Sequence, residues 1–299
     1  MRESLTGWLL RPGDLAVATV KRGTGRHANG YATIAAMTWI ATLPMYNVTP
    51  ALAALWHELL DDALRAVTLD VAIIDAGNDL HALWRRDDLL LAQTCGYPLM
   101  HGLQDRVQLV ATPEFDAPGC AGTDYSSALV TRASAPLATL EACRGARAAF
   151  NQDDSNSGMN VLRHAVAPLA RDGRFFGEVV RTGSHLGSLR ALTEDRADLA
   201  AIDCVTMAYV RDALPELAQQ VRQIGWSAAS PGLPLIAANT VAPETVVALR
   251  RALNAANDAQ PQRAAQLRLK RFTALTFADY ARIGQLEDEA FAAGYPRLA

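Results

Sequence analysis

The chemistry-bearing stretch lies between Phe150 and Val161, where the sequence reads Asn-Gln-Asp-Asp-Ser-Asn-Ser-Gly-Met-Asn. Val161, Leu162, Ala165, Val166 and Leu169 follow with apolar groups at helical spacing, so the polar run sits where a helix begins. The first backbone N–H groups of a helix lack partners within it, and the helix dipole is positive at that end. Ser155, Asn156 and Ser157 add side-chain donors, and Gly158 lets a ligand approach the backbone. That combination suits a small oxyanion. The same residue types also serve as ordinary N-caps, so the loop alone leaves both roles open. Two further strand ends carry polar groups, Thr182-Gly183-Ser184-His185 and Asp203. A histidine can donate to an oxyanion and gain charge in doing so. Cys204 adjoins Asp203, which leaves a cysteine nucleophile paired with His185 as a competing chemistry.

The elements that must position these groups form an α/β pattern. Strands are expected at 39–43, 67–74, 89–94, 107–112, 125–132, 147–150, 179–181, 197–202 and 221–229, with a last one at 235–239. Helices are expected at 137–143, 161–169, 186–192, 205–214, 243–254, 263–270 and 277–293, and a further one carries Leu52, Leu55, Trp56, Leu59, Leu60 and Leu64. Three times in the middle block a strand delivers polar residues to a helix start, which is where open α/β sheets bind ligands. Trp56, Trp84 and Trp226 are expected to pack in the core or hinge.

Half of the 299 residues are apolar, enough for two lobes with sizeable cores. The net charge is only −3 and no basic run occurs, which argues against nucleic acid. No apolar run is long enough to span a bilayer. Cys95, Cys120, Cys143 and Cys204 lack metal-ligand spacing, so neither metal nor cofactor is expected, and their isolation fits a reducing compartment. Residues 1–37 carry Arg2, Arg11, Lys21, Arg22 and Arg26 without a sustained apolar core, and read as a flexible extension rather than an export signal. A cytoplasmic location follows for the chain as written. A different start, such as Met37, leaves a periplasmic location as the alternative.

The motifs Asn151-x-Asp153-Asp154-Ser155-Asn156-Ser157-Gly158, Thr182-Gly183-Ser184-His185-x-x-Ser188-Leu189 and 197–203 resemble, in order and spacing, those of the PhnD-like family. These are the phosphate, phosphite and phosphonate substrate-binding components of ABC transporters. Tyr125-Ser126-Ser127 ahead and Ser230-Pro231-Gly232 behind match as well. The resemblance implies a type-2 periplasmic-binding-protein fold: two lobes, each a mixed sheet flanked by helices, joined by two hinge strands. Residues 38–125 and 230–299 would form the first lobe and 126–229 the inserted second. It also implies that Ser155, Asn156, Ser157 and Gly158 hold the anion, with Ser184, His185 and Asp203 beside them. Tyr125 would close over the ligand, and Tyr46 and Tyr97 would line the opposite wall. Binders of aminoalkylphosphonates in this family place an acidic residue in the loop that here reads Pro231-Gly232-Leu233-Pro234, which argues against an amino-bearing ligand. The expected function is capture of a phosphate- or phosphonate-type oxyanion by hinge closure, without catalysis. The expected protein is a monomer, partnered by a transporter permease. A cytoplasmic sensor with its own protein partner and an enzyme of thiamine-precursor-like chemistry are the alternatives.

Overall fold

A computed structural model describes residues 38–299. The first 37 residues, and with them the expected flexible extension, lie outside the described residues. In chain order the strands are β1 (Trp39–Thr42), β2 (Val71–Ile73), β3 (Leu89–Gln93), β4 (Val107–Phe115), β5 (Cys120–Ala121), β6 (Asp124–Tyr125), β7 (Ser127–Arg132), β8 (Arg147–Phe150), β9 (Glu178–Arg181), β10 (Leu199–Asp203), β11 (Val221–Trp226), β12 (Ser230–Pro231), β13 (Leu235–Ala238) and β14 (Leu269–Thr273). They make a six-stranded sheet in the order β14-β4-β13-β3-β1-β2 and a five-stranded sheet in the order β11-β7-β10-β8-β9. A small third sheet, β12-β6-β5, lies where the chain crosses between them.

The parallel strands explain themselves from composition. Every residue of β3 (Leu-Leu-Leu-Ala-Gln) and of β10 (Leu-Ala-Ala-Ile-Asp) is buried. A strand covered on both faces needs no polar alternation, so its sequence is a continuous apolar run. Each such run ends in one polar residue, Gln93 or Asp203, delivered to the edge of its sheet. Each lobe is thus a mixed sheet with helices packed on it, the type-2 binding-protein architecture.

The two connections between lobes run side by side. The Ser127 N–H donates to Ser227 Oγ (2.8 Å) and the Ser227 N–H donates back to the Ser127 carbonyl (2.9 Å). Tyr125 pairs with Ser230 in the small sheet. Two extended chains bonded side by side at such a crossing make the paired connection that a hinge between lobes uses.

The structure departs from expectation in places. The segment 263–270 is not helical: a helix ends at Gln266, Arg268 takes a left-handed φ of 50°, and β14 begins at Leu269. Leu269 and Phe272 are buried while Lys270 and Arg271 are exposed. β14, not 235–239, is therefore the last strand, and its charged face is the kind that keeps a sheet edge from pairing further. The expected helix at 137–143 shrinks to one turn, Glu141–Cys143. The strand at 67–74 shortens to Val71–Ile73, and the one at 107–112 runs on to Phe115. The indole of Trp226 is 42 % exposed rather than packed away.

The final helix, Phe277–Ala292, serves both lobes. Tyr280 and Ile283 pack in a cluster with Leu99 and Leu103 of the first lobe. Leu286 and Ala290 pack with Leu162, Val166 and Phe175 of the second. The stretch 286–299 thus adheres to the second lobe, although the sequence places 230–299 with the first. One apolar stripe, continued for four turns, reaches both cores. Replacing Leu286 by Ala should cost about 2–5 kcal/mol by opening a cavity in the second core. The shift in denaturant midpoint measures it, and a loss below about 1 kcal/mol would contradict the packing described.

Candidate functional site

A cavity of about 60 Å³ lies between the lobes. One water-sized group needs about 10–15 Å³ of such space, so the cavity holds about four to six. That suits a tetrahedral oxyanion with a small substituent. Ser155, Ser157, His185 and Asp203 reach it from the second lobe, and Tyr46 and Cys95 from the first.

The wall at 155–158 is a wide helical turn, Asn156–Asn160, that leads into the helix Val161–Val166. Ser155 caps it by accepting from the Gly158 N–H (3.0 Å). A side chain at Gly158 would collide with Asn151, whose Oδ1 would lie 1.9 Å from the new Cβ. This glycine therefore serves close packing of the loop behind it. Ser157 Oγ lies 2.8 Å from His185 Nε2. Among the described residues, the Ser157 N–H has no acceptor. A hydroxyl and an imidazole edge thus meet at one point of the wall.

His185 is the first residue of the helix His185–Thr193. Burial pushes its pKa down to about 4. Its Nδ1 lies near the Ala201 carbonyl without a hydrogen bond of ordinary geometry. The ring is therefore neutral near pH 7, able to donate or accept but not to supply a fixed charge.

Asp203 closes a third helix start. Its Oδ1 accepts from the N–H groups of Val205 (2.8 Å) and Thr206 (3.0 Å), and its Oδ2 accepts from the Tyr46 hydroxyl across the cleft (3.1 Å). Burial raises its pKa to about 6, against the lowering effect of those hydrogen bonds. This carboxyl therefore takes up a proton near pH 6, well above the range of an exposed aspartate. At the rim, His81 Nε2 meets Asp154 Oδ2 at 2.5 Å, a second bond between lobes. The lobes are closed on each other.

Other expected residues lie elsewhere. Asn156 is fully buried beneath the wall, with Nδ2 donating to Ser230 Oγ (2.9 Å) and to the Tyr125 hydroxyl (3.4 Å). Asn156 and Tyr125 thus tie the turn to the hinge sheet. Ser184 is exposed and caps its helix through the Gly187 N–H (3.0 Å). Tyr97 does not reach the cavity; its hydroxyl donates to Glu287 (2.6 Å), and its ring stacks on His101. Trp84 and Thr206 line the cavity without having been singled out for it, Trp84 with its indole N–H fixed on the Gln93 carbonyl (3.1 Å), and Leu233, from the loop the resemblance marked, lines it as well. The Cys204 sulfur lies 3.3 Å from that of Cys120, and Cys204 does not line the cavity that His185 reaches, which argues against a Cys204–His185 pair. A larger, open groove of about 720 Å³ lies near Arg268 and Lys270, whose charges are already paired with Asp212 and Asp116.

Residues 40–280 match the family described as the periplasmic substrate-binding protein of phosphonate ABC transporters. The chain belongs to that family. No curated protein sequence matches it. Among solved structures, a binding-protein component of an ABC phosphonate transporter from Pseudomonas aeruginosa has a TM-score of 0.71 at 20 % identity, covering 86 % of this chain and 88 % of that one. A phosphonate-binding protein from Prochlorococcus marinus in complex with methylphosphonate has a TM-score of 0.68 at 14 % identity, covering 85 % and 98 %. The alkanesulfonate-binding protein of Xanthomonas axonopodis, bound to MOPS, has a TM-score of 0.61 at 14 % identity, covering 86 % and 93 %. At these identities the likeness establishes the fold of the phosphonate-binding family.

Asp203 and His185 make opposite demands on folding. The Asp203 pKa rises from 3.8 unfolded to about 6 folded, so the folded state binds more protons and stability falls as pH rises through that window. The His185 pKa drops from 6.5 to about 4, so stability rises with pH over nearly the same window. Each term is of order 3 kcal/mol, less for the partly exposed His185, and the two largely cancel. Asp203→Asn should leave a protein that gains stability from pH 4 to 6.5, and His185→Gln one that loses it. Denaturant midpoints across that range measure both, and identical slopes in the two variants would refute the assignment.

Proposed function

We propose that this chain binds a small tetrahedral oxyanion of the phosphonate, phosphite or phosphate class, in monoanionic form, and delivers it to an ABC-transporter permease as a monomer. Family membership supports the ligand class and the permease, and the family's periplasmic description supports capture in that compartment. The observation that carries the reading is the wall of uncharged donors around one small cavity: the Ser157 N–H and hydroxyl, Ser155 and the neutral His185. No lysine or arginine lines that cavity among the described residues.

The proposed ligand is monoanionic because two carboxylates, Asp154 and Asp203, border the space. A dianion beside them would be repelled. A singly charged ligand allows one proton between Asp203 and the nearest ligand oxygen, so that one donates and the other accepts. Leu233 at the wall offers no partner to an ammonium group. The proposed site is a binding site without a catalytic step: Cys204 is engaged with Cys120, and burial raises the pKa of Cys95, which disfavours the thiolate a nucleophile needs.

Calorimetry with methylphosphonate, phosphite and phosphate tests this. At least one should bind at pH 6, with affinity falling as pH rises from 6 to 8 and the shared proton is lost. Ser157→Ala should weaken binding about ten- to a hundredfold, the worth of a hydrogen bond to a charged group. Heat from none of the three, or affinity that grows with pH, would overturn the reading.

A further inference from the structure

Cys120 and Cys204 are 84 residues apart in sequence, yet their sulfurs stand 3.3 Å apart. Neither lines the ligand cavity. Cys120 lies in β5 of the small sheet between the lobes, and Cys204 opens the helix that Asp203 caps in the second lobe. Gly119 makes the approach possible. Its φ of 99° favours glycine, and a Cβ there would lie 2.8 Å from Cys204 Cβ and 2.6 Å from the Trp226 ring. The Cys204 N–H donates to the Ser126 carbonyl (3.2 Å), which holds the helix start against the same crossing. Cys120 is partly exposed and Cys204 is buried.

We propose that Cys120 and Cys204 form a dithiol that closes to a disulfide by exchange with a small-molecule disulfide such as oxidised glutathione, fastening the helix start behind Asp203 to the inter-lobe sheet. The sulfurs need to close from 3.3 Å to about 2.05 Å. Cys120, the accessible sulfur, loses its proton and attacks one sulfur of oxidised glutathione, breaking that S–S bond and expelling a glutathione thiolate. Cys204 then loses its proton to water and attacks the Cys120 sulfur of the mixed disulfide, expelling the second glutathione thiolate. Two protein thiols are oxidised by two electrons, and the two glutathione halves are reduced and take up the two protons. The contact with Cys120 together with burial raises the Cys204 thiol pKa, and Cys120 is the more accessible sulfur, which fits Cys120 as the first attacker.

The test uses the full chain equilibrated in glutathione buffers of increasing oxidised fraction, then quenched, unfolded and assayed for free thiols. The reduced protein has four thiols. Oxidation should remove two, and peptide mapping should find Cys120 joined to Cys204 with Cys95 and Cys143 free. Oxidised Cys204→Ser should retain two free thiols, Cys95 and Cys143, with Cys120 carrying one glutathione, and Cys120→Ser should not cross-link. Amide exchange over residues 119–126 should slow in the oxidised wild type. Four surviving thiols, glutathione stopped on Cys120 in the wild type, or a cross-link through Cys95 or Cys143 would overturn the pairing. Unchanged exchange over 119–126 would overturn the fastening.

Discussion

A carboxyl group buried against the cavity between the lobes sets the terms for this protein. Asp203 is 1 % exposed, caps a helix with two backbone N–H bonds and accepts the Tyr46 hydroxyl from the opposite lobe. Burying a carboxylate without full compensation costs several kcal/mol, so the group takes up a proton at a higher pH than an exposed aspartate does. The same residue therefore links the lobes and ends a central strand. Among the described residues no lysine or arginine lines the cavity; neutral donors and this buried acid, its pKa raised by burial, meet there instead.

The fold makes such a site by repetition. Strands β8, β9 and β10 run parallel. After β8, β9 and β10 the chain turns into helix starts at Asn156, His185 and Cys204. Helix starts at such sheet edges are where open α/β sheets bind ligands, although here Asp203 already takes the N–H groups of Val205 and Thr206 and Ser184 takes that of Gly187. The first lobe supplies the opposite wall: Tyr46 and Cys95 approach from loops after β1 and β3, and Trp84 from the short helix Leu80–Trp84. Tyr125 and Asn156, buried and bonded to one another, couple the cradle to the hinge rather than to the ligand. That coupling gives closure a physical route, because a twist at the waist displaces the turn that carries Ser157.

The sequence made part of this legible for local reasons. Fully buried strands such as β3 and β10 announce themselves as unbroken apolar runs, and Ser155, Ser184 and Asp203 mark helix starts by residue type. What it concealed depends on distant partners. Tyr97 looks like a cleft residue until Glu287, 190 positions away, takes its hydroxyl. β14 is hidden because its Leu269 and Phe272 also suit a helix, and only the turn at Arg268 and the neighbouring β4 decide against one. The final helix reads as one amphipathic segment, with no sign that its stripe is shared between two cores. Gly158 resembles a ligand-approach glycine, whereas Asn151 behind it sets the requirement.

The central claim is that a small anion displaces water from the uncharged donors at 155–158 and at His185. Titrating isotopically labelled protein with methylphosphonate, while following backbone amides by NMR, examines those donors directly. The account predicts that the Ser157 amide proton moves downfield and saturates together with a shift at His185. Saturable shifts confined to the open groove near Arg268 and Lys270, with Ser157 unmoved, would contradict it.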